Sequence, residues 1–291
     1  MTNQKQRFSW QAWLELLRLP NLFTVPGDVI VGWVMVGMKG VFPWFAILAS
    51  LALYSVGLLL NDLLDVRTDT KERPQRPLPS KRVSKRAVIV VSGALSAVAL
   101  GLAAWTGALP VGLALLGMIL FYNLLAKRIA ILGVVVMGCC RGLNILLGAA
   151  MTWTWDALPL ETTTLQQAML FFTIYILIVS IVARNETKPS ARTHLFMRLL
   201  PLAMVLFLLP LSWFYGKFTG LPILCVAVTF LPGLFRHCPI PKRVAAYIRG
   251  LIPLQGLWCF ILYPSMGTFW ISLFLSLWGG AWIASRRFAG S

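Results

Sequence analysis

Acidic residues are scarce in this chain, with nine Asp and Glu against 26 Lys and Arg in 291 residues. Histidine is scarcer still. His194 and His237 stand far apart, which argues against a histidine-built metal centre or general base. The five cysteines, Cys139, Cys140, Cys225, Cys238 and Cys259, show no C-x-x-C spacing; neither zinc nor a disulfide framework is indicated, and they read as small packing residues. No phosphate-binding G-x-x-x-x-G-K loop and no G-x-G-x-x-G fingerprint occurs. No low-complexity segment or long linker divides the chain, so the expectation is one domain over residues 1–291. No short apolar run with a small-residue cleavage site follows Lys5 and Arg7, so a removable signal peptide is not expected.

Apolar residues are abundant. Hydrophobic residues make up 58% of the chain, charged residues 12%, and the mean hydropathy is +0.79. A soluble core of this size cannot hide that much apolar surface, so the chain is read as an all-α membrane protein. Ten apolar stretches are long enough to cross or nearly cross a bilayer: 22–38, 42–60, 87–106, 109–125, 129–151, 165–183, 199–215, 221–235, 245–263 and 269–284. Gly138, Gly142 and Gly148 are suited to close helix approach.

The net charge of +17 is explained by orientation rather than by nucleic acid. With Lys39 and Lys217 in outer loops and Arg141 inside a span, every other Lys and Arg falls on one face, the pattern of a cytoplasmic side. The expected location is therefore a bacterial inner membrane, with the active site on the cytoplasmic side. The bilayer is an expected partner, and no nucleic acid or protein partner is indicated.

Four of the nine acids fall in one short segment that follows an apolar run, Asn61-Asp62-Leu63-Leu64-Asp65-Val66-Arg67-Thr68-Asp69 with Glu72 beyond it. On a helix Asp62, Asp65 and Asp69 lie within roughly 60° of one another. Two carboxylates about 5 Å apart repel by roughly 3 kcal/mol at an effective dielectric near 20, and a divalent cation reverses that term. Oxygen donors alone favour Mg²⁺, which commonly completes its shell with substrate phosphate. The alternative is a solvated acidic helix end. From Arg67 to Arg86 the chain is basic and stiffened by Pro74, Pro77 and Pro79, a loop suited to a phosphate-rich ligand or, more plainly, to anionic lipid.

These features resemble a known family. The N-D-x-x-D-x-x-x-D run, then Arg76-Pro77-Leu78-Pro79-Ser80 and Val83-Ser84, is similar to the first signature of the UbiA superfamily of intramembrane prenyltransferases. Tyr122-Asn123-Leu124-Leu125-Ala126-Lys127 and Arg141-Gly142-Leu143-Asn144 continue the likeness. The resemblance implies a bundle of nine to ten transmembrane helices around a lateral cavity open to lipid. It also implies Mg²⁺-dependent transfer of a prenyl group from an isoprenyl diphosphate to a small, often aromatic acceptor. The second Asp-rich motif of the family is degenerate here, since 183–188 reads Ala-Arg-Asn-Glu-Thr-Lys and only Glu186 remains as a carboxylate. This pattern, with C-R-G-L-N at 140–144, is most similar to the EboC-like subgroup.

The expected metal ligands are Asn61, Asp62, Asp65, Asp69 and Glu186, with the three aspartates carrying catalysis by holding the metal. Arg76, Lys127 and Arg184 would neutralise the leaving diphosphate, and an apolar cavity would keep water from the carbocation-like fragment. Arg18 occupies a place where family members often have an acceptor-site arginine; a snorkelling anchor explains it as well. Arg141 lies deep in a span, either paired with Asp28 or, with Asn144, meeting a substrate in the cavity. A second class of function is a non-catalytic carrier of a lipophilic small molecule that keeps the diphosphate pocket and lacks turnover.

Overall fold

The computed structural model describes residues 10–151, 163–184 and 240–287. The expected spans at 199–215 and 221–235 lie outside the described residues. Helices are numbered along the described residues: α1 Trp10–Leu16, α2 Leu19–Leu22, α3 Val25–Met35, α4 Trp44–Leu64, α5 Val66–Glu72, α6 Lys85–Trp105, α7 Leu109–Leu124, α8 Ala130–Ala150, α9 Thr163–Arg184, α10 Ile240–Leu262 and α11 Gly267–Arg287. Six of them, α4, α6, α8, α9, α10 and α11, are long and apolar enough to cross a membrane, and two shorter apolar segments, Leu19–Met35 and Leu109–Leu124, accompany them. The all-α membrane architecture stands; the count of nine to ten spans goes beyond what the described residues contain.

The first expected span is broken. Pro20 and Pro26 each sit in the first turn of a short helix, where a missing N–H costs nothing, so the segment restarts at Val25 instead of running through. Pro74 acts in the opposite sense downstream. Helix α5 persists through Glu72, and Arg73, just before the proline, turns out to φ −143°, ψ 61°. The stiffened loop thus begins at Arg73 rather than Arg67. It ends at Ser84, whose hydroxyl accepts the Ala87 N–H at 3.1 Å and caps α6.

Within lipid, helix association depends on close packing more than on apolar burial. Only 22% of the apolar windows of α6 and α11 is buried in protein, against 56% for α8 and 61% for α10, so the former pair lies outermost among the described helices. Helices α3 and α8 cross at the centre through glycine on both sides. A Cβ on Gly32 would strike the Ile145 carbonyl, and one on Gly148 would strike the Val29 carbonyl. Gly107, at φ 76°, makes the left-handed turn that joins α6 to α7. A smaller apolar cluster, separate from the main core, joins Ala12 and Leu16 of α1 to Leu59, Val66, Leu78, Val83 and Val88. It seats the basic loop over the end of α4.

Candidate active site at the end of α4

Helix α4 delivers the acidic segment. The Asp65 N–H donates to the Asn61 carbonyl at 3.0 Å and the Asp69 N–H to the Asp65 carbonyl at 2.9 Å, which carries the helical register across into α5. Asn61, Asp65 and Asp69 therefore recur on one face, four residues apart, and line a cavity of about 740 Å³. Arg18, Arg73, Arg76, Lys127 and Arg128 supply positive charge to the same cavity, and Ser180 and Ala183 bring the end of α9 to it.

Asp62 is placed differently from its neighbours. It lies about 60° around the helix from Asp65, is only 6% exposed, and does not line the cavity. Its Oδ1 meets Arg18 Nη2 at 3.3 Å and Arg76 Nη1 at 3.8 Å. Arg76 Nη1 also donates to Asp69 Oδ2 at 2.9 Å, and Lys127 Nζ donates to Asp65 Oδ1 at 2.6 Å. Each aspartate of the run is thus balanced by a cation, which answers the repulsion expected among them. Arg73 and Arg128 have no carboxylate partner among the described residues.

Among the described residues no three His, Cys, Asp or Glu side chains approach closely enough to hold a metal by themselves. The cavity nonetheless offers a hard donor set, Asn61, Asp65 and Asp69, all through oxygen. Mg²⁺ usually takes one or two carboxylates and finds its remaining ligands in water and substrate phosphate, so these residues fit it. Glu186 and the side chain of Arg184 lie outside the described residues.

Arg141 and Asn144 are not on the cavity wall. They form a buried polar knot with Asp28, which is 0% exposed. Arg141 Nε lies 2.9 Å from Asp28 Oδ2, Asn144 Nδ2 donates to the same oxygen at 3.2 Å, and Gln255 Nε2 donates to Oδ1 at 2.7 Å. Arg141 Nη2 and Gln255 Nε2 both donate to the Thr24 carbonyl, at 3.1 and 2.9 Å, while Ser50 Oγ donates to Asn144 Oδ1 at 2.6 Å. The knot ties α3, α4, α8 and α10 together. Of the two readings of Arg141, the pair with Asp28 is the one observed. Ser50 and Gln255 were not singled out from the sequence, although a lone amide within the apolar stretch 245–263 was a usable signal.

Outside the bilayer segments, Glu15 and Arg82 make a two-pronged ion pair, with Arg82 Nη1 and Nη2 at 3.0 and 2.6 Å from the carboxylate oxygens. The hydrogen bond to Glu15 pushes the Arg82 guanidinium above its ordinary pKa, against partial burial. In the sequence Arg82 is one of several cations in the basic loop and Glu15 one of only nine acids, with no local pattern to join them.

Comparison with known proteins gives this arrangement a context. Digeranylgeranylglyceryl phosphate synthase from Sulfolobus acidocaldarius is 31% identical over 129 residues, covering 44% of this chain and 46% of that one. The synthase of the same name from Metallosphaera sedula is 33% identical over 140 residues, covering 46% and 49%. The chain spans about half the length of the curated relatives it matches. These relatives are archaeal, which overturns the expectation of a bacterial inner membrane; an integral membrane protein is what stands. A solved structure of a digeranylgeranylglyceryl phosphate synthase has a TM-score of 0.54 at 18% identity, covering 93% of this chain and 97% of its own. A UbiA homolog from Archaeoglobus fulgidus bound to GPP and Mg²⁺ has a TM-score of 0.52 at 14% identity, covering 94% and 99%. At these identities the likeness is one of fold. A profile of the UbiA prenyltransferase family matches residues 29–236, most of the chain and all of the acidic segment. The chain belongs to the UbiA prenyltransferase family, a family of membrane-embedded transferases.

Proposed function

We propose that the protein, as one transmembrane domain, transfers a prenyl group from an isoprenyl diphosphate to an acceptor within the membrane. The observation that carries this is the single cavity in which Asn61, Asp65 and Asp69 share a wall with Arg18, Arg76 and Lys127. Carboxylates and cations that neutralise one another can each exchange that partner for a ligand, the carboxylates for metal and the cations for phosphate oxygens. Asn61, Asp65 and Asp69 would hold Mg²⁺, with Glu186 as a further ligand; its chemistry there is to neutralise the departing diphosphate. Arg18, Arg76 and Lys127 bind and orient the diphosphate and take up charge as the allylic carbon–oxygen bond breaks. Arg184 belongs to the same proposal. Leu64, Leu124 and Met137 line the cavity and are 45%, 50% and 41% exposed, an apolar wall for the prenyl chain that also keeps water from the cationic fragment.

Two acceptor classes fall within this reading. The family resemblance points to a small aromatic. The name of the curated relatives points to a glycerol phosphate, and Arg73 and Arg128, on the cavity wall without carboxylate partners among the described residues, favour the phosphate-bearing class. Both polar residues of the C-R-G-L-N run behind the EboC-like subgroup, Arg141 and Asn144, belong to the Asp28 knot, which leaves that finer assignment without support of its own.

The test supplies the purified protein with allylic prenyl diphosphates of several lengths and with acceptors of both classes, in Mg²⁺ and in EDTA. Prenyl transfer is expected in Mg²⁺ alone and preferentially to the phosphate-bearing acceptor. Mg²⁺-dependent binding without transfer to any acceptor would return the protein to the carrier reading.

A further inference from the structure

Arg18 and Arg76 meet at the same Asp62 oxygen, Oδ1, from pieces of chain far apart in sequence. Arg18 does so from a backbone that side chains rarely adopt, φ 45°, ψ 58°. Something must hold each in place. The Arg18 N–H donates to the Glu15 carbonyl at 3.1 Å, so the turn carrying Arg18 is closed on Glu15. On the other side, the Arg76 carbonyl accepts the Ser80 N–H at 3.0 Å and the Ser80 hydroxyl at 2.6 Å. That hydroxyl in turn accepts from Arg82 Nε at 3.2 Å. The Glu15–Arg82 ion pair joins the two halves, and Arg82 Nη2 adds a bond to the Gln75 carbonyl at 2.9 Å. An unbroken path therefore runs from the Arg18 backbone through Glu15, Arg82 and Ser80 to the Arg76 backbone. Leu16, Leu78 and Val83 pack beneath it in the small apolar cluster.

We infer that Glu15 and Arg82 are positioning residues that set the spacing of Arg18 and Arg76 across the diphosphate site. Neither touches the cavity, and they act through the two arginines that line it. The inference rests on the proposed diphosphate-binding role of that cavity. An ion pair with side chains 39% and 30% exposed contributes little to global stability, so its geometry rather than its strength is what the site uses. Loss of the pair lets the loop and the Arg18 turn separate, which weakens ground-state binding of the diphosphate while the acidic face of α4 and α5 stays formed.

The experiment measures Mg²⁺-dependent binding of allylic prenyl diphosphates of several lengths, geranyl diphosphate among them, and KM and kcat for diphosphate release, in the full chain. The variants are Glu15→Gln, Arg82→Met and the exchange Glu15→Arg with Arg82→Glu, with thermal unfolding in detergent as a control. Each single change is expected to weaken binding and raise KM by about 3- to 5-fold, with kcat and the unfolding midpoint little changed. The exchanged pair restores the ion pair but not the Arg82 bonds to Ser80 and Gln75, and is expected to bind better than either single variant while recovering only part of the lost affinity. Singles that bind like the parent protein, or an exchange no better than the singles, would overturn the inference. A parent protein that binds no allylic prenyl diphosphate of any length tested in Mg²⁺ would instead overturn the function on which it rests.

Discussion

Asp28 shows how a membrane interior tolerates charge. Its two carboxylate oxygens receive Arg141, Asn144 and Gln255, so an ion costly in hydrocarbon is balanced by a cation and two amides. Removing one partner leaves the other charge uncompensated. Asp28→Asn is predicted to destabilise the protein by about 3 kcal/mol, and Asp28→Asn with Arg141→Met to be less harmful than Asp28→Asn alone. Unfolding in detergent measures both. A double variant as damaged as the sum of the singles would show that the knot is not a charge pair in isolation. From the sequence, Asp28 could be named as the natural partner of Arg141, because few charges lie deep in the spans and an unpaired one is improbable there. What could not be read was that Asn144 joins the same oxygen or that Ser50 and Gln255 complete the set, since those contacts depend on where four helices meet. Asp62 is the converse case. The helical wheel put it beside Asp65 and Asp69, but rotation alone does not reveal that Arg18 and Arg76 occupy its side of α4.

Among the elements, the α3–α8 crossing is the most tightly specified. Gly148 faces the Val29 backbone and Gly32 the Ile145 backbone, and backbone atoms cannot swing aside as side chains do. Gly148→Ala is therefore predicted to destabilise by about 2 kcal/mol through overpacking. Gly117→Ala in α7, where an added Cβ meets nothing within 4 Å among the described residues, should be neutral or slightly stabilising. Comparing the two unfolding midpoints checks the claim, and equal effects would refute it. The helices themselves were largely readable, because long apolar stretches leave few alternatives in a bilayer. For the described spans, the expected 129–151 and 165–183 correspond to Ala130–Ala150 and Thr163–Arg184. The break before Val25 and the extension of α5 to Glu72 depend on how three prolines sit relative to helix ends, which apolar length does not record.

At the scale of the molecule, one cavity gathers residues from widely separated parts of the chain: Arg18, the acidic turn at 61–69, the Pro-rich loop, Lys127 and Arg128, and the end of α9. The local motif could be read because its residues lie close in sequence and carry charge where charge is scarce. The strut at Glu15 and Arg82 could not, because an exposed ion pair 67 residues apart leaves no local pattern. The most direct measurement is release of inorganic diphosphate from allylic prenyl diphosphates by the purified protein in nanodiscs, with Mg²⁺ and with EDTA, beside Asp65→Asn. Prenyl-transfer chemistry at this cavity predicts Mg²⁺-dependent release that falls by about 100-fold or more in the variant. Release that persists in EDTA, or that Asp65→Asn leaves intact, would contradict it.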